Sequence, residues 1–239
     1  MSRVAVVAGA SGGIGRAIAD QLQAHGYAVA RLSRTMAEAR SATALALKCD
    51  ATCRDSAFAA VDAVVAHFGK IDLFVNSVGI AQAKKIVDLT EEDIGRLFKT
   101  NVVGALWLYQ AVMEPMKKQG AGYIIHIGSL RADSPGIAKA AYCATTAAAT
   151  QLVRVLAKEC RECGIRATTI HPGYVNTKLY KGISQKIPFR GVLKDGKATV
   201  EYFADVVEAD DIGKMVVCLD SLSQTASVEE VRMGRIWGS

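Results

Sequence analysis

A chain of 239 residues, 51% hydrophobic and 22% charged, can bury a large core, and that balance excludes a disordered protein. It contains no apolar run near the ~20 residues of a membrane span. The net charge of +6 raises nucleic acid as a partner, but the longest basic runs are the pairs Lys84-Lys85 and Lys117-Lys118, so the charge reads as a solvated surface.

Residues 1–3 lead straight into the apolar run Val4–Ala8, without the three-part layout of a secretory signal, so a cytoplasmic protein with no membrane or nucleic-acid partner is expected. That run reads as a first strand. The glycine-rich stretch GASGGIG follows, then a helical pattern of Ile14, Ala17, Ile18 and Leu22 that Gly26 closes. Residues 27–32 read as a second strand, 45–49 as a third, 56–68 as an amphipathic helix and 73–75 as a fourth strand. A long helical pattern covers 91–118, and a fifth strand covers 123–127. A second long helix spans 140–162, and its face from Ala140 to Val153 carries no charge, which predicts burial on more than one side. Residues 165–170 form a sixth strand and 228–233 a seventh. Strand-helix alternation without repeats or linkers predicts one α/β domain over residues 1–239. Its form is a doubly wound Rossmann fold, with about seven mainly parallel strands between helices.

Six cysteines stand at 49, 53, 143, 160, 163 and 218. Without a secretory signal they read as free thiols, and the lone pair Cys160-x-x-Cys163 lacks the second pair that zinc needs, so no metal is expected.

Gly9, Gly13 and Gly15 follow a first strand and open a helix, the setting in which a glycine loop binds a dinucleotide. Gly9 permits the tight turn, Gly13 lets a ligand approach the backbone, and Gly15 lets helix and strand pack closely. The free N–H groups of the helix start then face a diphosphate, with Ser11 and Ile14 in the same loop. At the end of the second strand, Ser33 stands where an acid would bind ribose hydroxyls, and Arg34 follows. A hydroxyl beside a guanidinium suits a 2′-phosphate, so NADP(H) is favoured over NAD(H). Asp50, followed by Ala51, either accepts from the adenine amine or caps the next segment. Asn76 and Gly79, after the fourth strand, support the same cleft.

GASGGIG, NSVG, Ser129 placed thirteen residues before Tyr142, and HPGYVNT occur in an order that resembles the short-chain dehydrogenase/reductase family, from Arg3 to about Thr177. The resemblance implies that Tyr142 is the general acid that protonates a substrate carbonyl oxygen. It implies that Ser129 hydrogen-bonds the same oxygen and that Asn101 holds a water in the proton relay. It also implies that Pro172, Gly173, Val175 and Thr177 form the wall that orients the nicotinamide, and that the protein is a homodimer or homotetramer built on its two long helices. The pattern departs at Ala8, where many relatives have threonine, at Ser77-Val78, and at the C-terminal SVEEVRMGRIWGS, where a shorter last strand is expected.

The largest departure is Thr146. Relatives have lysine four residues after the tyrosine, on the same helix face, where its ammonium binds the ribose and favours the tyrosinate of those proteins. Two charges about 4 Å apart interact by roughly 4 kcal/mol at an effective dielectric near 20. A threonine hydroxyl can reach the ribose but brings no charge, so a loss of about 10²–10⁴-fold in rate is expected. Either the change is engineered, or it is natural with slow turnover or another cation such as Lys139, or the chain is a non-catalytic subunit that binds cofactor and scaffolds a partner. Ser129, Tyr142 and Asn101 together favour the reductase, because a scaffold has no reason to keep all three. Residues 178–204 read as a substrate lid whose Lys178, Lys181, Lys186, Arg190, Lys194 and Lys197 attract an anionic small-molecule substrate such as an acyl thioester.

Overall fold

The computed structural model describes residues 2–175, 177 and 207–234, and the backbone of 191–194 and 197–200. Strands β1 (Val4–Ala8), β2 (Ala28–Ser33), β3 (Ala39–Arg40), β4 (Ala44–Lys48), β5 (Leu73–Asn76), β6 (Gly122–Ile127), β7 (Ile165–Pro172) and β10 (Glu230–Met233) form one sheet. Its order is β10-β7-β6-β5-β1-β2-β4-β3, and every pairing is parallel except that of the two-residue edge strand β3 with β4. The sequence reading of about seven strands thus corresponds to the parallel strands, with β3 added. Strands β8 (Gly191–Lys194) and β9 (Lys197–Val200) pair separately as an antiparallel ribbon. They fall in the expected lid; the rest of that segment, including Lys178, Lys181, Lys186 and Arg190, lies outside the described residues.

The helices are α1 (Gly13–Ala24), α2 (Arg54–Phe68), α3 (Glu91–Phe98), α4 (Gly104–Gln119), α5 (Ala140–Glu159) and α6 (Ala209–Ser221). Every residue of β1 is buried, as a parallel sheet covered on both faces requires. Strand alternation sends Ala5 and Val7 to the layer filled by Ile18 and Leu22 of α1 and Ile212 and Val216 of α6. Val6 and Ala8 go to the opposite layer, with Val61 and Val64 of α2 and Leu108 and Val112 of α4. Burying side chains of this size contributes about 1.5–3 kcal/mol each.

Three differences from the sequence reading have local causes. The helix expected over 91–118 is interrupted by a π-turn, Lys99–Val103, in which the Gly104 N–H reaches the Lys99 carbonyl five residues back. A Cβ on Gly104 would stand 3.1 Å from the Ala51 carbonyl oxygen, so glycine permits this bend to approach the loop after β4. The helix expected over 140–162 stops at Glu159, because a short 3-10 turn, Arg161–Cys163, leads to Gly164 at φ +68°. Helix α6 went unread, although Asp210 and Asp211 in its first turn and Ile212, Val216 and Leu219 at helical spacing mark it.

Among the described residues, no helix is long and apolar enough to cross a membrane, and no cluster of three metal-ligating side chains occurs.

Candidate active site

The loop after β1 holds Gly9 at φ +84° and Gly13 at φ +56°, backbone that favours glycine. A Cβ on Gly9 would lie 2.6 Å from the Ser77 carbonyl oxygen, and one on Gly15 would collide with the carbonyl oxygen of Gly9. These glycines let the loop, the exit of β5 and the start of α1 touch. Gly12 precedes α1 in extended backbone without a side-chain cap, and no acid occupies the first turn. The leading N–H groups and the positive end of the helix are therefore available to an anion.

Above this loop opens a cleft of about 340 Å³. It lies at the C-terminal strand ends, where the strand order reverses across β1 and β5. Gly9, Ser11, Gly13, Ile14, Ser33, Arg34, Asp50, Ala51, Gly79 and Thr177 line it. Ser33 is buried, and its Oγ has no hydrogen-bond partner among the described residues. Asp50 accepts from Thr52 N–H at 2.9 Å and Thr52 Oγ1 at 2.8 Å, so the local cap of its two expected roles is formed. Those bonds hold its carboxyl below the usual range, and Arg34 and Lys99 add to the effect. Gly15 and Asn76 do not line the cleft. Asn76 is fully buried behind it, where Oδ1 accepts from Val78 N–H at 3.0 Å and Nδ2 donates to the Tyr109 hydroxyl at 3.3 Å. The Tyr109 hydroxyl in turn meets His126 Nδ1 at 2.9 Å. Sequence reading missed Ser77, Thr52 and Thr100 as lining residues; a place just past a strand end was the available signal for the first two.

A smaller cavity of about 80 Å³ shares Ile14, Ser77, Val78, Gly79 and Ile80 with the cleft, so the two adjoin. Ser129, Tyr142, Pro172, Gly173 and Val175 line it, which brings the predicted serine and tyrosine onto one space. Ser129 follows β6 at the cap of a short turn, and its Oγ accepts from Arg131 N–H at 3.1 Å. Its carbonyl accepts from His171 Nδ1 at 3.1 Å, while the other ring nitrogen lies 3.3 Å from Glu230. Tyr142 sits in the first turn of α5, 9% exposed.

Asn101 lies in the π-turn and lines neither space. Its Oδ1 accepts from Ile80 N–H at 2.9 Å, and Nδ2 donates to the Ile80 carbonyl at 3.0 Å and Thr145 Oγ1 at 3.1 Å. It joins three segments: the bend before α4, the loop after β5, and α5. Thr146 keeps to its own helix. Its hydroxyl donates back to the Tyr142 carbonyl at 3.1 Å and the Cys143 carbonyl at 3.0 Å, and the residue lines neither space. A threonine hydroxyl inside a helix commonly bonds back to a carbonyl three or four positions earlier.

The strand order, the glycine loop and the cleft above it define a dinucleotide-binding α/β protein. The short chain dehydrogenase family profile matches residues 3–188, and the chain belongs to that family. It is 34% identical over 186 residues to an uncharacterized oxidoreductase of Staphylococcus epidermidis, covering 75% of this chain and 81% of that one. It is 30% identical over 190 residues to carbonyl reductase family member 4 of Xenopus tropicalis, covering 77% and 80%. An alcohol dehydrogenase from Thermococcus sibiricus, solved in complex with 5-hydroxy-NADP, shares the fold at a TM-score of 0.82 and 24% identity, covering 100% of this chain and 99% of that one.

Proposed function

We propose that this oxidoreductase uses NADP(H) and interconverts a carbonyl and a secondary alcohol, with Tyr142 as general acid and base and Ser129 polarising the carbonyl. The carrying observation is that Ser129 and Tyr142 share a cavity that adjoins the cleft over the glycine loop. The carbonyl reductase relative supports that substrate class.

The residues fit a dinucleotide. A Cβ at Gly9 or Gly15 would collide with backbone and push the loop out of this shape, and the Ser33 hydroxyl is buried and lacks a partner among the described residues. Gly9, Ser11, Gly13 and Ile14 would hold the diphosphate at the start of α1. Ser33 and exposed Arg34 would hold a 2′-phosphate, with no acid at either position to repel it. Pro172, Gly173, Val175 and Thr177 would flank the nicotinamide. The bound cofactor supplies or accepts the hydride.

The chain's own residues handle the proton. The Ser129 hydroxyl, already accepting from Arg131 N–H, keeps its hydrogen to donate to the substrate oxygen. The Tyr142 hydroxyl donates its proton to the same oxygen. The Asn101 side chain is engaged with Ile80 and Thr145, so its amide positions the loop after β5 against α5. With Thr146 in place of lysine, the ammonium that relatives carry four residues after the tyrosine is missing, and turnover is slowed.

Residues 1–239 act as one dinucleotide-binding and catalytic unit, with 178–204 as its substrate lid. Ile94, Phe98 and Val103 along α3 and the bend, and Val155 on α5, stay exposed, which supports a homodimer or homotetramer through these helices. The deciding experiment pairs NADPH binding with a carbonyl panel, on this chain and on Thr146→Lys. NADPH binding together with turnover that rises in the lysine form is expected. Absence of NADPH binding in both forms would remove the cofactor assignment, and binding without any turnover would favour a scaffold.

A further inference from the structure

Two cations converge on the segment that joins Ser129 to Tyr142, and neither has a part in the reaction above. Arg131 extends from the Ser129 turn to the chain after β7. There Nη2 donates to the Tyr174 hydroxyl at 2.8 Å, and the guanidinium lies over the Tyr174 ring, 5.5 Å from its centroid. Nη1 donates to the Ser134 carbonyl at 3.0 Å. Gly136 leaves room for the group, because a Cβ there would stand 3.2 Å from Arg131 Cζ. Lys139 N–H donates to the Gly136 carbonyl at 3.1 Å, which sets the lysine at the end of the same bend. Lys139 is 7% exposed. Burial holds its ammonium below the ordinary lysine range, and the Arg131 guanidinium adds to that effect.

The direction of the guanidinium follows from burial. Ser129 and Tyr142 are buried, whereas Arg131 and Tyr174 are half-buried. Each half-buried residue stands within two positions of a residue lining the small cavity, Ser129 or Gly173. Arg131 itself lines neither space, but the tyrosine it bonds stands between Gly173 and Val175 of the small cavity's wall, and its guanidinium has N–H donors beyond those given to Ser134 and Tyr174. Its planar fork matches a carboxylate.

Resting on the oxidoreductase reading, we propose that Arg131, backed by the charge of Lys139, forms an anion subsite that selects oxo acids, carbonyl compounds bearing a carboxylate, over neutral ketones. Arg131 contacts the carboxylate, and Lys139 is a positioning neighbour that touches no substrate.

Calorimetric titration of the NADP⁺-loaded protein tests this, using oxo acids whose ketone lies at increasing distance from the carboxylate, each beside its methyl ester. At least one acid is expected to bind about 10- to 100-fold tighter than its ester, the scale of a charge-assisted hydrogen bond. The ratio is expected to fall to near one in Arg131→Met, to survive in part in Arg131→Lys, and to shrink with added salt. An unchanged thermal midpoint in the two variants shows that the fold is retained. Equal affinity for acid and ester across the panel, no binding of any acid, or a preference that survives Arg131→Met overturns the proposal. Turnover of the same pairs with NADPH, by this chain and by Thr146→Lys, reads the oxidoreductase assignment separately. Acid-selective binding without turnover by either form keeps the subsite and removes the reductase.

Discussion

Thr146 turns its hydroxyl onto the carbonyls of Tyr142 and Cys143. A lysine there would therefore displace no ligand contact and would add one charge to the face of α5 that carries Tyr142. Thr146→Lys is predicted to raise kcat with NADPH and a responsive carbonyl by about 10²-fold or more, measured by steady-state kinetics. An unchanged kcat would sink the role given to Tyr142. Ser33 supports a second prediction at this scale. An aspartate at that buried strand end would accept from ribose hydroxyls and repel a 2′-phosphate. Ser33→Asp should shift the ratio of NADH to NADPH affinity by about 10- to 100-fold towards NADH, read by fluorescence titration. A ratio that stays put would show that cofactor choice lies elsewhere. The approach of Ser33 and Arg34 to the cleft was legible because strand ends in this fold open on one side. The direction of the Thr146 hydroxyl was not, because a rotamer answers to the nearest acceptor rather than to motif spacing.

Asn101 makes the π-turn between α3 and α4 part of the site. Its amide satisfies both main-chain groups of Ile80 and the hydroxyl of Thr145. Asn101→Ala would leave partly buried donors and acceptors unpaired, at a cost of about 1–3 kcal/mol. A lower urea midpoint at an unchanged m-value is the expected result. An unaltered midpoint would mean that water replaces the amide without loss. Periodicity announced a helix across 91–118; both flanks, α3 and α4, are helical, so a pattern read over the whole span gave the helix without the π-turn between them. Helix α6 carried its own signals. Its contribution to the second core layer, opposite Ile18 and Leu22, depends on packing that no local pattern describes.

The two layers of the molecule enclose a polar chain, Asn76 to Tyr109 to His126, beneath the cleft. Burial pulls the His126 imidazole from 6.5 down to about 4, and nearby His171 adds to the effect. Between those values the unfolded chain binds a proton that the folded chain does not. The stability from neutral His126 is therefore complete above pH 6.5 and is lost as pH falls towards 4, by about 3 kcal/mol at most. Denaturant melts from pH 7 to 4 should show this decline, and His126→Gln should flatten it. Equal slopes in both proteins would place the acid sensitivity in other groups. At the level of assembly, light scattering is expected to give a dimer or tetramer, and a clean monomer would remove the interface assigned to the exposed side chains of α3 and α5.

Sequence by itself determined the doubly wound class, the parallel strands, the family, and the residues carried by strand ends and glycine turns. Each of these follows from local periods, backbone permissions and spacing along the chain. Only the tertiary structure decided that Ser129 and Tyr142 share one cavity with Gly173, and that Asn101 is bound to Ile80. It also decided that Arg131 meets Tyr174 across forty-three residues, and that Thr146 faces its own helix. These are contacts between segments far apart in the chain, or choices among rotamers. Their free energies depend on which neighbours packing brings within hydrogen-bond reach.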